Sequence, residues 1–416
     1  MQHPTLSSQR ITSVDALRGF ALLGILFAHF VFWYSGAGLP QSTYEKFNDV
    51  GSIVASAFNG IFVSGKFFTF FSFLFGLSFF LQMQSLQKRE EKFVLRYCWR
   101  LVILGAIGLL HHAFWRGDIL SIYVPLGFIL LLFRNSSNRL LFILALLLII
   151  NIPARIIDIV HFLSAQPTPG PANTPPVDDD AQQYYNAIKN GSLIDVIKNN
   201  WNGLSAKFSF QFQSGRIYIT LGFFMLGMYA GRKKWFENPD SSRPIIQRIC
   251  KISGWITIGI ILFTIGLFAV NSIFKLGLDA KPSMQFLFTF LFDTASSSMT
   301  IFYLAALTML MYRVRWQKIL YPLVPVGKMA LTVYLSQTFF GLLLFYHIGF
   351  GLFEKTAPWF NMLLAIPVFL VQAYLCRLWL NYFHYGPVEW FWRSLTFLKW
   401  YPLKKRATVQ SIKTAE

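Results

Sequence analysis

Arg18 and His29 stand eleven residues apart in one apolar stretch, which opens with Asp15-Ala-Leu-Arg18-Gly19. On a helix that spacing separates the guanidinium and the imidazole by about 16 Å along the axis. One then lies near a membrane face and the other past mid-depth, where ionisable groups are costly and mark functional positions. A guanidinium near the face suits the phosphates of an anionic donor. An imidazole deeper in suits general-base work on an acceptor hydroxyl or amine, or transient carriage of an acyl group.

Further candidates sort by depth. Lys66, His111, His112, Arg116, Asp118, Arg216 and Asp293 fall toward the His29 end. Asp15, Lys328 and the segment Tyr385–Arg393, with Glu389, fall toward the Arg18 end, and Gln337 lies between. Arg18, Lys328 and Arg393 are candidates for donor binding. His29, Asp118 and His112 are the catalytic candidates, with Asp118 orienting the deep imidazole of His29 or pairing with Lys66. Lys66, His111, Arg216 and Gln337 are candidates for the acceptor. Each has a structural alternative. Asp15 and Arg18 suit a helix cap and an interfacial anchor, and Lys66 and Arg216 suit snorkelling cations. Glu389 and Arg393 suit an i,i+4 surface pair, and His29 suits a hydrogen-bonded packing residue. His111 and His112 are adjacent and point to different helix faces, so no metal site is expected.

Such residues must be positioned by a membrane bundle. The chain has 416 residues, 55% hydrophobic and 13% charged, whereas soluble domains carry about 25% charged residues. Mean hydropathy is +0.48. Apolar runs long enough to cross a bilayer occur at 17–35, 66–85, 98–116, 118–133, 140–163, 216–232, 252–274, 286–312, 323–346 and 359–381. The expected fold is an all-α polytopic bundle of about ten spans. Arg10, Asp15 and Arg18 precede the first run and no small-residue cleavage site follows it, so that span is expected to be retained. The net charge of +19 is concentrated in short segments between alternate runs, as at Lys88-Arg89, Arg96 and Arg100, Arg232-Lys233-Lys234, and Lys399 to Lys413. That is the positive-inside pattern with both termini cytoplasmic, and no nucleic-acid partner is expected. Cys98, Cys250 and Cys376 have no metal or redox spacing.

Four regions follow: a membrane bundle over 1–163, an external loop over 164–207, a second bundle over 208–400, and a basic tail over 401–416. Pro167, Pro169, Pro171, Pro175 and Pro176 make the first part of the loop extended, while 181–200 reads as short helices over the outer mouth. Tyr44–Phe62 reads as an interfacial segment. No internal repeat is evident, which weakens an inverted-repeat transporter.

Five motifs then carry a resemblance: DALRGFALLGIL at 15–26, GKFFTFFSFLFG at 65–76, GDIL at 117–120, GKMALTVYLSQ at 327–337 and YGPVEWFWRSLT at 385–396. In that order, end to end, the chain resembles the bacterial membrane family called domain of unknown function 418, the YeiB-like proteins. That family is distantly similar to the transmembrane acyltransferases, the acyltransferase-3 and heparan-sulfate acetyltransferase-like proteins. In the acyltransferase-3 pattern an Arg early in span 1 is followed eleven residues later by a His needed for activity, and Arg18 and His29 match. The YeiB-like pattern often has Asn at the second position, so His29 departs from it toward the enzymes. The resemblance implies a multi-pass protein of the bacterial inner membrane. It would move a short acyl group from cytosolic acyl-CoA, acetyl-CoA first, to an envelope glycan, lipid or small-molecule acceptor at the outer face. The rival is a small-molecule transporter or exporter without covalent chemistry. A third reading is a structural protein of the envelope. The oligomeric state stays open, a homo-oligomer included.

Overall fold

The computed structural model describes residues 12–34, 46–87, 92–164, 179–237, 239–278 and 281–405. Arg10, Lys88-Arg89, the five loop prolines, Tyr44, and the tail beyond residue 405 lie outside the described residues. The protein is an all-α membrane bundle. Helix α1 (Thr12–Ala28) runs into a π-helical turn, His29–Trp33. There follow α2 (Val50–Phe58), a second π turn (Asn59–Val63), α3 (Phe67–Gln87), α4 (Phe93–Phe114) and α5 (Leu120–Leu132). Next come α6 (Asn138–Ile149), α7 (Ile152–Ser164), and three short helices, α8 (Asp179–Asn190), α9 (Leu193–Asn202) and α10 (Leu204–Gln213). The second half holds α11 (Arg216–Arg232), α12 (Pro239–Phe274), α13 (Pro282–Met311), α14 (Val314–Leu320) and α15 (Leu323–Lys328). It ends with α16 (Ala330–Phe345), α17 (Pro358–Tyr382) and α18 (Pro387–Phe397).

Each expected apolar run falls on a helix or a broken helix pair. Among the described residues six helices are long and apolar enough to cross a bilayer, and the pair α6 and α7, bent by 49°, makes a seventh span if taken as one. The bend has a local cause. Asn151 adopts a left-handed conformation (φ 61°), and Pro153 sits in the first turn of α7, where its missing N–H is harmless. The run 323–346 is likewise not one helix: it breaks at Met329 into α15 and α16. Within the expected outer loop, α8 and α9 occupy the stretch read as short helices. Helix α12 presents Trp255, Leu262 and Ile273 outward, the composition of a lipid-facing surface.

Helix α1 is buried along most of its length, and glycines set how closely its neighbours approach. A methyl on Gly327 would stand 1.7 Å from the Asp15 carbonyl oxygen, and one on Gly19 would stand 2.2 Å from that of Leu323. The backbones of α1 and α15 therefore touch. The same device joins α3 to α11. A methyl on Gly76 would lie 1.9 Å from the Phe224 carbonyl oxygen, and one on Gly227 would lie 2.0 Å from that of Phe73. Small residues at helix crossings are the usual means of close packing in lipid, where no hydrophobic force draws helices together. Gly227→Leu is expected to destabilise the bundle by about 3 kcal/mol or more, at the upper end of overpacking effects because the obstacle is backbone. Thermal unfolding in detergent measures it, and an unchanged midpoint would show that α3 and α11 can part without loss.

Candidate active site

A cavity of about 710 Å³ runs beside α1. Arg18 and His29 both line it, so the eleven-residue spacing puts both side chains on the cavity side of one helix. The walls between the ends are largely aromatic, with Phe67, Phe71 and Phe75 from α3.

At the Arg18 end three basic side chains reach the cavity: Arg18, Arg100 and Lys328. Arg18 donates to Asp15 (2.8 Å) and to the Ser78 hydroxyl (2.7 Å), which orients its fork. Arg100, near the start of α4, stacks on Trp392 of α18 with its guanidinium carbon 3.4 Å from the ring centre. The sequence marked Arg100 only as a loop charge, because it falls at the edge of an apolar run. Lys328 ends α15. Glu389 does not pair with Arg393. Its carboxylate accepts from the backbone N–H groups of Leu331 (2.7 Å) and Thr332 (3.0 Å) and from the Thr332 hydroxyl (2.5 Å). Glu389 thus satisfies the open first turn of α16 that the break at Met329 creates. Arg393 is not brought to the cavity. It stands among the rings of Tyr385, Phe397 and Tyr401, 4.8–5.5 Å from their centres.

At the other end His29 begins the π turn. Its ring centre lies 4.6 Å from Trp115, 5.4 Å from Tyr34 and 6.4 Å from Tyr334. Its Nδ1 has no hydrogen-bond partner among the described residues. No hydrogen bond joins His29 to His111, His112 or Asp118 among the described residues; His29 and His111 meet the same two rings, Trp115 and Tyr334. His111 packs on two of the same rings, with centres 5.9 Å from Trp115 and 5.0 Å from Tyr334.

Asp118 orients His111 instead. Its Oδ1 accepts from His111 Nδ1 at 2.7 Å, and His111 Nε2 lies 2.7 Å from the Thr338 hydroxyl. That hydroxyl lies 2.9 Å from Tyr34 OH. With a neutral His111 the proton order runs Tyr34 to Thr338 to His111 Nε2, with Nδ1–H held by the carboxylate. Asp118 also caps α5, accepting from the backbone N–H of Leu120 (3.1 Å) and Ser121 (2.8 Å).

The cationic partner of Asp118 is Lys207, not Lys66. Lys207 Nζ lies 3.6 Å from Oδ2 of Asp118 and donates to the Ser121 hydroxyl (2.7 Å) and to His112 Nδ1 (3.2 Å). His112 Nε2 donates to the Asn200 carbonyl (2.9 Å). With Nε2 protonated and Nδ1 accepting, His112 is neutral. Lys207 lies on the short helix α10, where burial draws its ammonium down to about 8 while the Asp118 carboxylate opposes that fall. One signal for it was present in the sequence. Lys207 and Gln211 are i,i+4 on a helix that buries both and exposes Phe210 and Phe212, an inverted pattern.

The remaining candidates divide. Lys66 turns from the cavity, donating to the Gly60 carbonyl (2.8 Å) beside the Phe292 ring (5.0 Å). Gln337 is fully buried and donates to the Leu22 carbonyl (3.0 Å), tying α16 to α1. Arg216 does line the cavity, as does Arg116. Arg116 holds α8 and α9 over this end, donating to both oxygens of Asp180 (2.6 and 3.1 Å) and to the Asn199 side chain (2.8 Å). Among the described residues no three His, Cys, Asp or Glu side chains converge as metal ligands would.

The family described as "Protein of unknown function (DUF418)" matches residues 230–399. Over its full length the chain is similar to the uncharacterized protein YxaH of Bacillus subtilis, at 30% identity across 98% of this chain and 99% of that one. It is also similar to the uncharacterized protein YeiB of Escherichia coli, at 29% identity across 93% and 96%.

Proposed function

The chain belongs to the DUF418, YeiB-like family of membrane proteins, and from that premise we propose a membrane-embedded acyltransferase. It takes a short acyl group from acyl-CoA on the cytosolic side and delivers it to an acceptor at the outer side. The observation that carries this reading is one cavity lined by both the Arg18, Arg100 and Lys328 cluster and, farther along α1, His29. The Lys/Arg asymmetry supports ten spans, with the Arg18 end in the cytosol of a bacterial inner membrane. Arg18, Arg100 and Lys328 suit the phosphates of the donor: two forks and a point charge match polyanionic oxygens. The aromatic wall suits the thioester arm. His29 is the general base. It takes the proton of an acceptor hydroxyl or amine as the acceptor atom bonds to the acyl carbon. The carbon–sulfur bond breaks, and the proton passes to the departing thiolate. The hydrogen-bonded set of Asp118, His111 and Thr338 holds the far end in one geometry.

A transporter would use the same cavity as a path without covalent chemistry. His29, with no carboxylate against it, is the feature that favours that rival. Donor binding separates them. Wild type in nanodiscs is expected to bind acetyl-CoA, and Arg18→Gln or Arg100→Gln is expected to weaken binding by roughly ten- to a hundredfold, the scale of a charge-assisted contact. Inside-out vesicles should consume added acetyl-CoA where right-side-out vesicles do not. Absence of CoA binding by the wild type would remove the enzyme reading and leave the pathway.

A further inference from the structure

Arg216 is a cation in the cavity wall with no hydrogen bond or salt bridge to any described residue; the Asp293 carboxylate acts on it only through space. It begins α11, and its guanidinium carbon lies 4.3 Å from the ring centre of Phe68, 5.4 Å from Trp33 and 5.7 Å from Phe210. Its Nε is enclosed and unbonded, and the side chain makes no hydrogen bond or ion pair with any described residue. The acids around it are engaged elsewhere. Asp118 is held by His111 and Lys207. Asp293 is held by Asn151 (2.9 Å) and Arg155 (3.4 Å). Asp180 is held by Arg116. Six basic side chains and three carboxylates line the whole cavity, a surplus of positive charge.

A half-buried cation whose one carboxylate neighbour is already held by Asn151 and Arg155 gains from a ligand that brings an anion into direct contact. Aromatic faces steady the guanidinium plane but leave its in-plane N–H donors open, and those donors match two oxygens of a carboxylate or phosphate. His29 and Arg216 both line the cavity, and Arg216 lies against Trp33, which ends the π turn that His29 begins. An oxyanion seated on Arg216 would therefore hold its molecule beside the imidazole.

We propose that the far end of the cavity is an oxyanion subsite built on Arg216, and that the acceptor carries a carboxylate or phosphate group. The name "acceptor" rests on the acyl-transfer reading; the anion site rests on the geometry alone. The shared chemistry admits a free metabolite or an anionic lipid headgroup, since Phe32, exposed in the π turn that follows α1, also borders the cavity.

The test uses the full chain in phosphatidylcholine nanodiscs with CoA at saturation, so that the Arg18 end does not compete for anions. Inorganic phosphate and succinate are titrated against Trp fluorescence, which Trp33 reports. In a second arm, nanodiscs containing phosphatidylglycerol are scored by native mass spectrometry for retained anionic lipid. The expected result is binding of at least one of these three probes that weakens about tenfold or more in Arg216→Gln. CoA binding should be unchanged there, and Lys198→Gln, an exposed cation at the same end, should match wild type. Phosphate or succinate dependence assigns a free acceptor; phosphatidylglycerol dependence assigns a lipid. Equal behaviour of wild type and Arg216→Gln toward all three probes overturns the proposal, while intact CoA binding leaves the donor reading standing. If Arg216→Gln loses CoA binding through misfolding, Arg216→Lys decides. It keeps one charge and loses the fork, so unchanged affinity for every probe overturns the subsite.

Discussion

His29→Asn is expected to fold, to bind acetyl-CoA as the wild type does, and to lose acyl transfer by about a hundredfold or more, the range of general acid–base catalysis. The substitution is chosen for its conservatism. Asn fills a similar volume among Trp115, Tyr34 and Tyr334 and keeps one donor and one acceptor, but it cannot take a proton at neutral pH. His29→Ala would also open space beside three rings, which confounds chemistry with packing. The proposed CoA site lies at the other end of the cavity, so donor affinity serves as the check on folding. Initial rates with labelled acetyl-CoA, and a thermal midpoint for each variant, measure the result. Transfer within threefold of wild type would show that His29 is not the base. The transporter reading gains from that outcome, because a path needs no proton acceptor at this position.

Asp118→Ala is expected to destabilise the protein by about 3–5 kcal/mol, the cost of breaking a buried ion pair from one side. The carboxylate is 1% exposed and holds four groups at once: His111 Nδ1, Lys207 Nζ and the backbone N–H groups of Leu120 and Ser121. Its removal leaves an enclosed ammonium without an anion and reopens the first turn of α5. The double variant Asp118→Ala with Lys207→Met separates these parts. Removing the cation too should recover a substantial share of the loss, since a buried pair exchanged for apolar groups is often near neutral. Thermal unfolding of the two singles and the double closes the cycle. Additive losses would show that the two residues stabilise the fold independently.

Several features of this arrangement are local and could be read from the chain. Span positions depend on the length of apolar runs, and the structure puts a helix or a broken helix pair under each. Arg18 and His29 belong to one helix, so their shared access to a cavity follows from helical spacing. What lay beyond reach were the partners. Asp118 is met by Lys207 at a sequence distance of 89 residues, and His111 is met by Thr338 at 227. Charge and depth alone made Lys66 an equal candidate for Asp118. Gln337 and Arg393 carried polar groups at suitable depths but became a helix tie and an aromatic-packed cation. Arg100 became part of the site because α18 brings Trp392 against it.

The physical reason is that a span is decided by each segment's own transfer from water to lipid, which composition determines. Which side chains meet is decided by how the helices cross. Here those crossings rest on backbone contacts at Gly19 and Gly327, and at Gly76 and Gly227, between segments far apart in the chain. Composition and helical spacing are enough for the membrane fold and the Arg18–His29 axis. The crossings decide that the carboxylate serves His111, that Lys207 neutralises it, and that Arg216 lines the cavity with no salt bridge to any described residue.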